Sequence, residues 1–216
     1  MNPPSSVSGL RLVGLVLIAG VLIFWGGAFY MPLMKAYTAR TIEEHLSVIA
    51  SNRLAWQVSN GMMALGGLLG GLAMVALGDH LHRTSGGHRL VVPAAALWIV
   101  CSALWLTTSA FRMTVTAWSA EQLAAGLGVP AFLPPLHRWN NLVVVMFMML
   151  AYAATALYGF EMLHAGGIPR AVAWFALSFG TLGVFLRPAG VLFFEPPLMV
   201  ELVPLGMGVS LVWRGR

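Results

Sequence analysis

The feature that most constrains the fold is a series of six apolar runs, each close to the length of a membrane-spanning helix. They cover about residues 9–34, 57–77, 90–109, 139–163, 170–187 and 196–213. Charged residues make up only 9% of the chain, against about a quarter of an average soluble domain. We therefore predict an all-α polytopic membrane protein, with residues 1–216 forming a single bundle of six transmembrane helices.

Two long connections, residues 35–56 and 110–138, lie on the same side of this predicted bundle. In the first, Thr41 and Glu44 form a capping-box pattern ahead of an apolar face, which predicts a short helix lying along the membrane surface. The second is apolar for a loop but is interrupted by Gly126, Gly128 and Pro130. We expect both to be interfacial loop segments on the non-cytoplasmic side.

The orientation follows from the distribution of Lys and Arg. With six spans both termini lie on one side, and the positive residues divide equally between that side (Arg11, Arg83, Arg89, Arg170, Arg214, Arg216) and the other (Lys35, Arg40, Arg53, Arg112, Arg138, Arg187). The loops on the terminal side are shorter, and short loops are the ones that follow the positive-inside rule. We therefore expect both termini in the cytoplasm.

Glycines on two of the predicted helices indicate close helix packing. Small residues let two helix backbones approach each other in lipid, where no hydrophobic effect drives association. The glycines concerned are Gly66, Gly67, Gly70 and Gly71 on the second span, and Gly180 and Gly183 on the fifth. The single cysteine, Cys101, excludes an intrachain disulfide and is expected to be a packing residue.

Polar residues at the non-cytoplasmic ends of the spans predict a ligand-binding pocket in the outer half of the membrane. They are Arg53, Gln57, Asn60, His137, Asn141, Arg187, Glu195 and Glu201. Glu201 lies about 7 Å below the expected start of its helix, and we expect it to pair with Arg187 or Arg53 because an unpaired charge in lipid is expensive. The alternative is that these side chains only cap helix ends and reach the interface.

No metal site, cofactor or nucleic-acid partner is expected. His80, His82 and His88 follow Asp79 in a short polar segment, and histidines of this kind can bind zinc. Their spacing matches no established site, so we favour a solvated loop. The net charge of +5 comes from arginines scattered singly at the ends of apolar runs, which is typical of membrane anchoring and not of nucleic-acid binding.

The last fifty residues carry a resemblance to a known family. Gly167-Ile168-Pro169-Arg170 with Trp174, then Gly180 with Gly183, then Gly206 with Gly208 and the closing Trp213-Arg214, resemble a widespread family of uncharacterised six-helix bacterial membrane proteins. The resemblance implies a six-helix fold in a bacterial or archaeal inner membrane. It implies no activity and no site residues.

Three functions remain open from the sequence. We favour a bundle that binds or transports a small-molecule or lipid-like ligand, because Pro204 is expected to kink the last helix near Glu201 and broken helices are a feature of transporters. A structural or sensory subunit is the alternative, and an intramembrane enzyme is disfavoured because no catalytic motif is present. The expected partners are membrane lipids and either further copies of the chain or a second membrane subunit.

Overall fold

The computed structural model describes residues 6–84, 90–165, 168–191 and 197–214. Helix is the only regular secondary structure in these ranges. The elements are α1 (Ser6–Ala28), α2 (Met31–Tyr37), α3 (Ile42–Ser51), α4 (Arg53–Thr84), α5 (Val91–Phe111), a π-helical turn (Arg112–Thr116), α6 (Ala117–Ala124), α7 (Leu133–Ala165), α8 (Arg170–Leu186), a 3-10 segment (Pro197–Glu201) and α9 (Leu202–Arg214). The all-α prediction is confirmed for these ranges.

Six of these helices form a closed bundle. Each packs against the next in the order α9, α1, α4, α5, α7 and α8, and a smaller contact between α8 and α9 completes the ring. The 3-10 segment touches α1 and α7. One continuous cluster of buried apolar side chains, from Leu17 on α1 to Leu211 on α9, forms the core of the bundle.

Contacts between neighbouring helices show which ends lie together. Gly14 of α1 meets Gly208 of α9, and at the other end of α1 the hydroxyl of Ser59 on α4 donates to the carbonyl of Gly27 at 2.6 Å. The start of α1 and the end of α9 therefore lie at one end of the bundle, the terminal end. The helices α2, α3 and α6 lie at the opposite end, the cap end.

These three helices form a cap with its own apolar cluster, which is separate from the core of the bundle. Leu33, Leu46 and Ala117 are among its fully buried members. The helix predicted after Thr41 is confirmed, because the Thr41 hydroxyl accepts from the backbone N–H of Glu44 at 3.1 Å. The Glu44 carboxylate accepts from the N–H of Arg40 at 2.9 Å, one residue earlier than in a regular capping box.

Within the described residues, four helical segments are long and apolar enough to cross a membrane: Gly9–Ala28, Arg53–Arg83, Val91–Ala124 and Leu133–Ala165. The helix α8 has only 17 residues, and the apolar segment Pro197–Trp213 is similarly short. Length and composition thus give four candidate spans in this part of the chain, and the six predicted from the sequence are not confirmed.

The connection predicted at residues 110–138 is mostly helical. The helix α5 continues through the π turn into α6, and α7 begins at Leu133, so only residues 125–132 are a loop. Gly126 ends α6 with a positive φ of 79°, and the N–H groups of Gly126 and Leu127 bond back to the carbonyls of Leu123 and Gln122. This is a Schellman motif, which glycine permits.

The polar segment from Asp79 is also not a loop over its first part, because α4 continues to Thr84. Arg83 and Asp79 form an ion pair one helical turn apart at 2.8 Å, which adds to helix stability there. His80 and His82 are therefore on a helix, and His88 lies outside the described residues.

Candidate functional site

A cavity of about 450 Å³ lies between the cap and the bundle. It is partly open to the surroundings. Its lining comes from α2 and α3 with the turn between them (Ala36, Tyr37, Ala39, Arg40, Thr41, Ile42, His45), from α4 (Trp56), from the end of α5 and the π turn (Phe111, Arg112, Thr116) and from α7 (Pro134, His137, Arg138, Asn140, Asn141). The cap therefore contributes about half of the lining.

The π turn presents Arg112 to this cavity. A π turn contains one residue more per turn than an α-helix, so some carbonyls lose their usual partners, and such turns occur frequently at functional sites. Here the carbonyl of Arg112 accepts from the indole N–H of Trp56 at 2.8 Å, and the carbonyl of Met113 accepts from the amide of Gln57 at 3.4 Å. Two side chains of α4 thus hold the turn in place.

The guanidinium of Arg112 is surrounded by aromatic rings. It lies 5.7 Å from the centroid of the Tyr37 ring and 5.6 Å from that of Trp105, which are cation–π distances. Among the described residues Arg112 forms no ion pair; the two ion pairs there are Arg53 with Glu121 and Arg83 with Asp79. The positive charge of Arg112 therefore has no carboxylate partner in this part of the structure.

The rest of the lining is also basic. Arg40 and Arg138 line the cavity with exposed side chains, and His45 and His137 line it half-buried. In the described part of the chain, no aspartate or glutamate contributes to the lining. The electrostatic potential in the cavity is therefore positive, and the low-dielectric walls strengthen it.

The two histidines lie next to each other. Their ring centroids are 5.4 Å apart in an edge-to-face arrangement. The Nδ1 of His45 lies 2.7 Å from the carbonyl oxygen of Ala36, which can only accept, so Nδ1 carries the proton and Nε2 is a free acceptor in the neutral ring. Burial lowers the pKa of His45, and the positive charges of His137 and Arg112 lower it further, against the opposing effect of the Ala36 hydrogen bond.

Tyr37 provides the neutral partner of Arg112. Burial raises the pKa of its phenol, and the positive charge of Arg112 offsets part of that rise. The ring lines the cavity, and the hydroxyl lies toward the buried side chains of Ser59 and Asn60 on α4, which lower its pKa as hydrogen-bond partners. The phenol is therefore a neutral group that is held by the bundle.

Asn140 and Thr116 are the two most deeply buried polar side chains of the lining, and Asn140 is the one that lacks a partner among the described residues. It is 2% exposed, and its amide makes no hydrogen bond with any residue that the structure describes, with Oδ1 fully enclosed. A buried amide without a partner costs about 1–3 kcal/mol. Its place in the lining indicates that a bound molecule or water supplies the missing partner.

The structure brings some of the predicted pocket residues together. His137 and Asn141 line the cavity. Gln57 supports the π turn, and Asn60, fully buried, donates to the carbonyl of Trp56 at 2.9 Å. Glu195 lies outside the described residues.

Arg53, Arg187 and Glu201 do not join this group. Arg53 is paired with Glu121, and Arg187 lies at the end of α8 near Tyr152 of α7. The predicted ion pair of Glu201 with Arg187 or Arg53 is wrong.

Glu201 lies much deeper in the bundle than predicted. It is 3% exposed, and its Oε2 is 3.9 Å from where a Cβ on Gly70 would lie. Gly70 is ten residues beyond Asn60 on α4, or about 15 Å deeper at 1.5 Å per residue. The prediction placed the start of the last helix at the membrane surface, whereas the carbonyl of Leu198 already accepts from Trp25 inside the bundle at 3.3 Å.

Several functional candidates in the structure had no signal in the sequence. Arg112, His45, Tyr37 and Asn140 lie in or beside segments predicted as loops, and the π turn that positions Arg112 leaves no trace in the apolar pattern. Glu161 was also missed. It is fully buried on α7 and accepts from the N–H of Leu90 at 3.1 Å, at the start of α5. A carboxylate there interacts favourably with the helix dipole.

Five of the six predicted packing glycines leave no room for a Cβ, whereas a Cβ on Gly70 would meet only Oε2 of Glu201, at 3.9 Å. A Cβ on Gly66 would lie 2.5 Å from the backbone of Gly20 and Phe24 on α1, and one on Gly67 would lie 2.8 Å from the Trp105 ring on α5. A Cβ on Gly71 would overlap Ser102 of α5. A Cβ on Gly180 would lie 2.5 Å from the backbone of Ala156 on α7, and one on Gly183 would overlap the ring of Tyr152.

No group of three or more potential metal ligands occurs within the described ranges. Comparisons with protein-family models, with curated proteins and with solved structures found no match to the chain. The resemblance to a six-helix family therefore stays a prediction. What the site does has to be argued from its residues.

Proposed function

We propose that the protein binds a small molecule in the cavity beneath the cap. The observation that supports this most directly is the cavity itself, since its volume of about 450 Å³ falls in the range of about 300–1,000 Å³ that is usual for ligand sites. Its walls combine apolar residues with a few convergent polar groups, which is the usual composition of such sites. The buried amide of Asn140 without a partner is a further argument.

We also propose that the cavity faces the non-cytoplasmic side of a bacterial inner membrane. The Lys and Arg distribution favours termini in the cytoplasm, and the cavity lies at the opposite end of the bundle. In this arrangement α8 and the segment Pro197–Trp213 are the fifth and sixth spans, each about 25 Å long against a hydrocarbon core of about 30 Å. A ligand would then enter from outside the cell or from the outer leaflet.

Transport is the extension of this proposal that Glu201 supports. The chain changes from a 3-10 segment to α9 immediately after Glu201, and Pro204 lies in the first turn of α9, where no intrahelical N–H bond is required. Broken helices with a buried carboxylate are found at the substrate and ion sites of transporters. Glu201 does not line the cavity. In this proposal it would therefore act in a later step of transport, after the ligand has bound in the cavity.

Membrane lipids are the proposed surroundings of the bundle, and assembly with further copies or with a second membrane subunit is also proposed. The large apolar side chains exposed on α8, such as Trp174 and Phe185, suit lipid and a partner helix equally. No observation specifically favours the structural or sensory subunit, or an intramembrane enzyme.

Filling the cavity tests the ligand-binding proposal. Ala39 lines the cavity and Ala125 is exposed at the end of α6, outside it. We expect wild type and Ala125→Trp, purified in lipid nanodiscs, to release a small molecule on methanol extraction that Ala39→Trp does not release, as measured by mass spectrometry. Identical extracts from all three proteins would refute ligand binding in the cavity.

A further inference from the structure

We infer that the ligand of the cavity carries an anionic group, a phosphate or a carboxylate, which binds against Arg112, His45, His137 and the amide of Asn140. This inference rests on the proposed function, because it assigns a chemical class to the molecule that occupies the cavity. The free anion and the headgroup of an anionic lipid present the same chemistry to these residues.

The first argument is the charge of the lining. Three arginines and two histidines line the cavity, and among the residues that the structure describes no aspartate or glutamate does. The three arginines would repel a cationic ligand. A neutral ligand would leave the guanidinium of Arg112 without an ionic partner in a poorly solvated place, which is unfavourable.

The second argument is the environment of Arg112. Its neighbours Tyr37 and Trp105 present aromatic faces, which stabilise the cation without using its N–H donors. A guanidinium has five such donors in a planar fork, and this geometry matches the two oxygens of a phosphate or carboxylate. The guanidinium is therefore stabilised and still able to bind an anion.

The third argument is the buried amide. Asn140 lines the same cavity, is 2% exposed, and makes no hydrogen bond with the described residues. Its enclosed Oδ1 can only accept, so it would need the O–H of a protonated phosphate or of a water, while its NH₂ group can donate to an anion oxygen. The neighbouring His45 has Nε2 free because Nδ1 is bonded to the carbonyl of Ala36. A proton on Nε2 would make it one more donor to the anion.

The test uses the full-length protein in nanodiscs made only of phosphatidylcholine, with inorganic phosphate as the probe and ionic strength held constant. Arg112→Gln removes the charge in the cavity, and Arg170→Gln removes an exposed charge at the terminal end as the matched control. A second arm uses nanodiscs that contain phosphatidylglycerol, and native mass spectrometry counts the lipids retained by each protein.

We expect wild type and Arg170→Gln to bind phosphate with the same dissociation constant, and Arg112→Gln to bind at least tenfold more weakly. If phosphate has no effect but Arg112→Gln alone loses a retained phosphatidylglycerol, the anion is a lipid headgroup. If wild type holds neither probe better than Arg112→Gln, the inference is overturned. A small molecule still released from wild type and absent from Ala39→Trp would then leave the proposed function standing without an anionic ligand.

A second variant covers the case in which Arg112→Gln does not fold. His137→Glu places a carboxylate in the cavity, where it can serve as an internal partner for Arg112. We expect this variant to fold with a thermal midpoint at or above that of wild type and to bind phosphate at least tenfold more weakly. Phosphate binding as tight as in wild type would contradict the inference.

Discussion

At the scale of single residues, His45 makes the stability of the cap depend on pH. Its pKa in the folded protein lies below the ordinary value of 6.5, so the unfolded chain takes up a proton at a higher pH than the folded chain does. Between the two pKa values the unfolded state binds more protons, and the free energy of unfolding falls as the pH decreases. Above about pH 7.5 the His45 side chain is neutral in both the folded and the unfolded state. His45 then no longer makes the free energy of unfolding depend on pH.

We therefore expect the thermal unfolding midpoint of wild type to decrease as the pH is lowered from 7.5 to 5.5. The midpoint of His45→Gln should decrease less steeply over the same range. The control is His82→Gln, which alters an exposed histidine near the terminal end and should leave the slope unchanged. Equal slopes for wild type and His45→Gln would show that His45 is not a source of the pH dependence.

Glu201 and Glu161 are both buried, but they differ in their contacts. Glu161 accepts a hydrogen bond at the start of α5, whereas Glu201 has no ion pair among the described residues. Removing the charge at Glu161 should reduce stability by about 1–2 kcal/mol because the interaction with the helix terminus is lost. Glu201→Gln should leave stability within about 1 kcal/mol or increase it, because a buried charge without a partner is unfavourable.

Thermal or denaturant unfolding of the two glutamine variants in detergent separates these cases. A loss of about 3–5 kcal/mol for Glu201→Gln would be the signature of a broken buried ion pair. That result would restore the pairing that the sequence suggested and would require an arginine close to Glu201 in the native protein.

At the scale of helices, glycine sets how closely neighbours approach. A Cβ on Gly180 would press against the backbone of Ala156, which cannot move without separating α7 from α8. Gly206 on α9 has nothing within 4 Å of the same position. Gly180→Ala should therefore destabilise the protein by about 1–3 kcal/mol, while Gly206→Ala should be neutral or stabilising by up to about 1 kcal/mol.

The same unfolding assay measures both variants. Since the two substitutions are chemically identical, a difference between them reports the surroundings of each glycine and not helix propensity. Equal stabilities would mean that the contact of α7 with α8 is looser than the structure shows.

The elements also explain which predictions from sequence succeeded. Apolar runs predicted helices, four of which in the described residues are long and apolar enough to cross a membrane, and the Thr41 cap predicted the start of α3. The π turn at Arg112 could not be predicted, because it depends on donors from Trp56 and Gln57, more than fifty residues earlier in the chain. The depth of Glu201 was missed for a similar reason, since only the contact of Leu198 with Trp25 shows where its segment lies.

At the scale of the whole molecule, the orientation can be tested with single cysteines in a background where buried Cys101 is replaced by serine. Ala125→Cys at the cap end should react with a membrane-impermeant maleimide in intact cells, and His82→Cys near the terminal end should react only after the cells are opened. The opposite pattern would reverse the proposed orientation.

The number of spans can be tested in the same way. Ala189 is exposed just beyond α8. Ala189→Cys should react in intact cells if α8 crosses the membrane fully. If it stays unreactive in both intact and opened cells, α8 ends inside the membrane, and four full spans remain.

The π turn has a consequence for how insertions and deletions act on this chain. Deleting one residue between Arg112 and Thr116 would remove the extra residue that the π turn accommodates, and an uninterrupted α-helix could then run from α5 to α6. The helix beyond would keep nearly the same face toward α3 and α4, so the cap would stay on the bundle. The carbonyls of Arg112 and Met113 would regain partners within the helix, Trp56 and Gln57 would lose theirs, and Arg112 would no longer be held against the cavity.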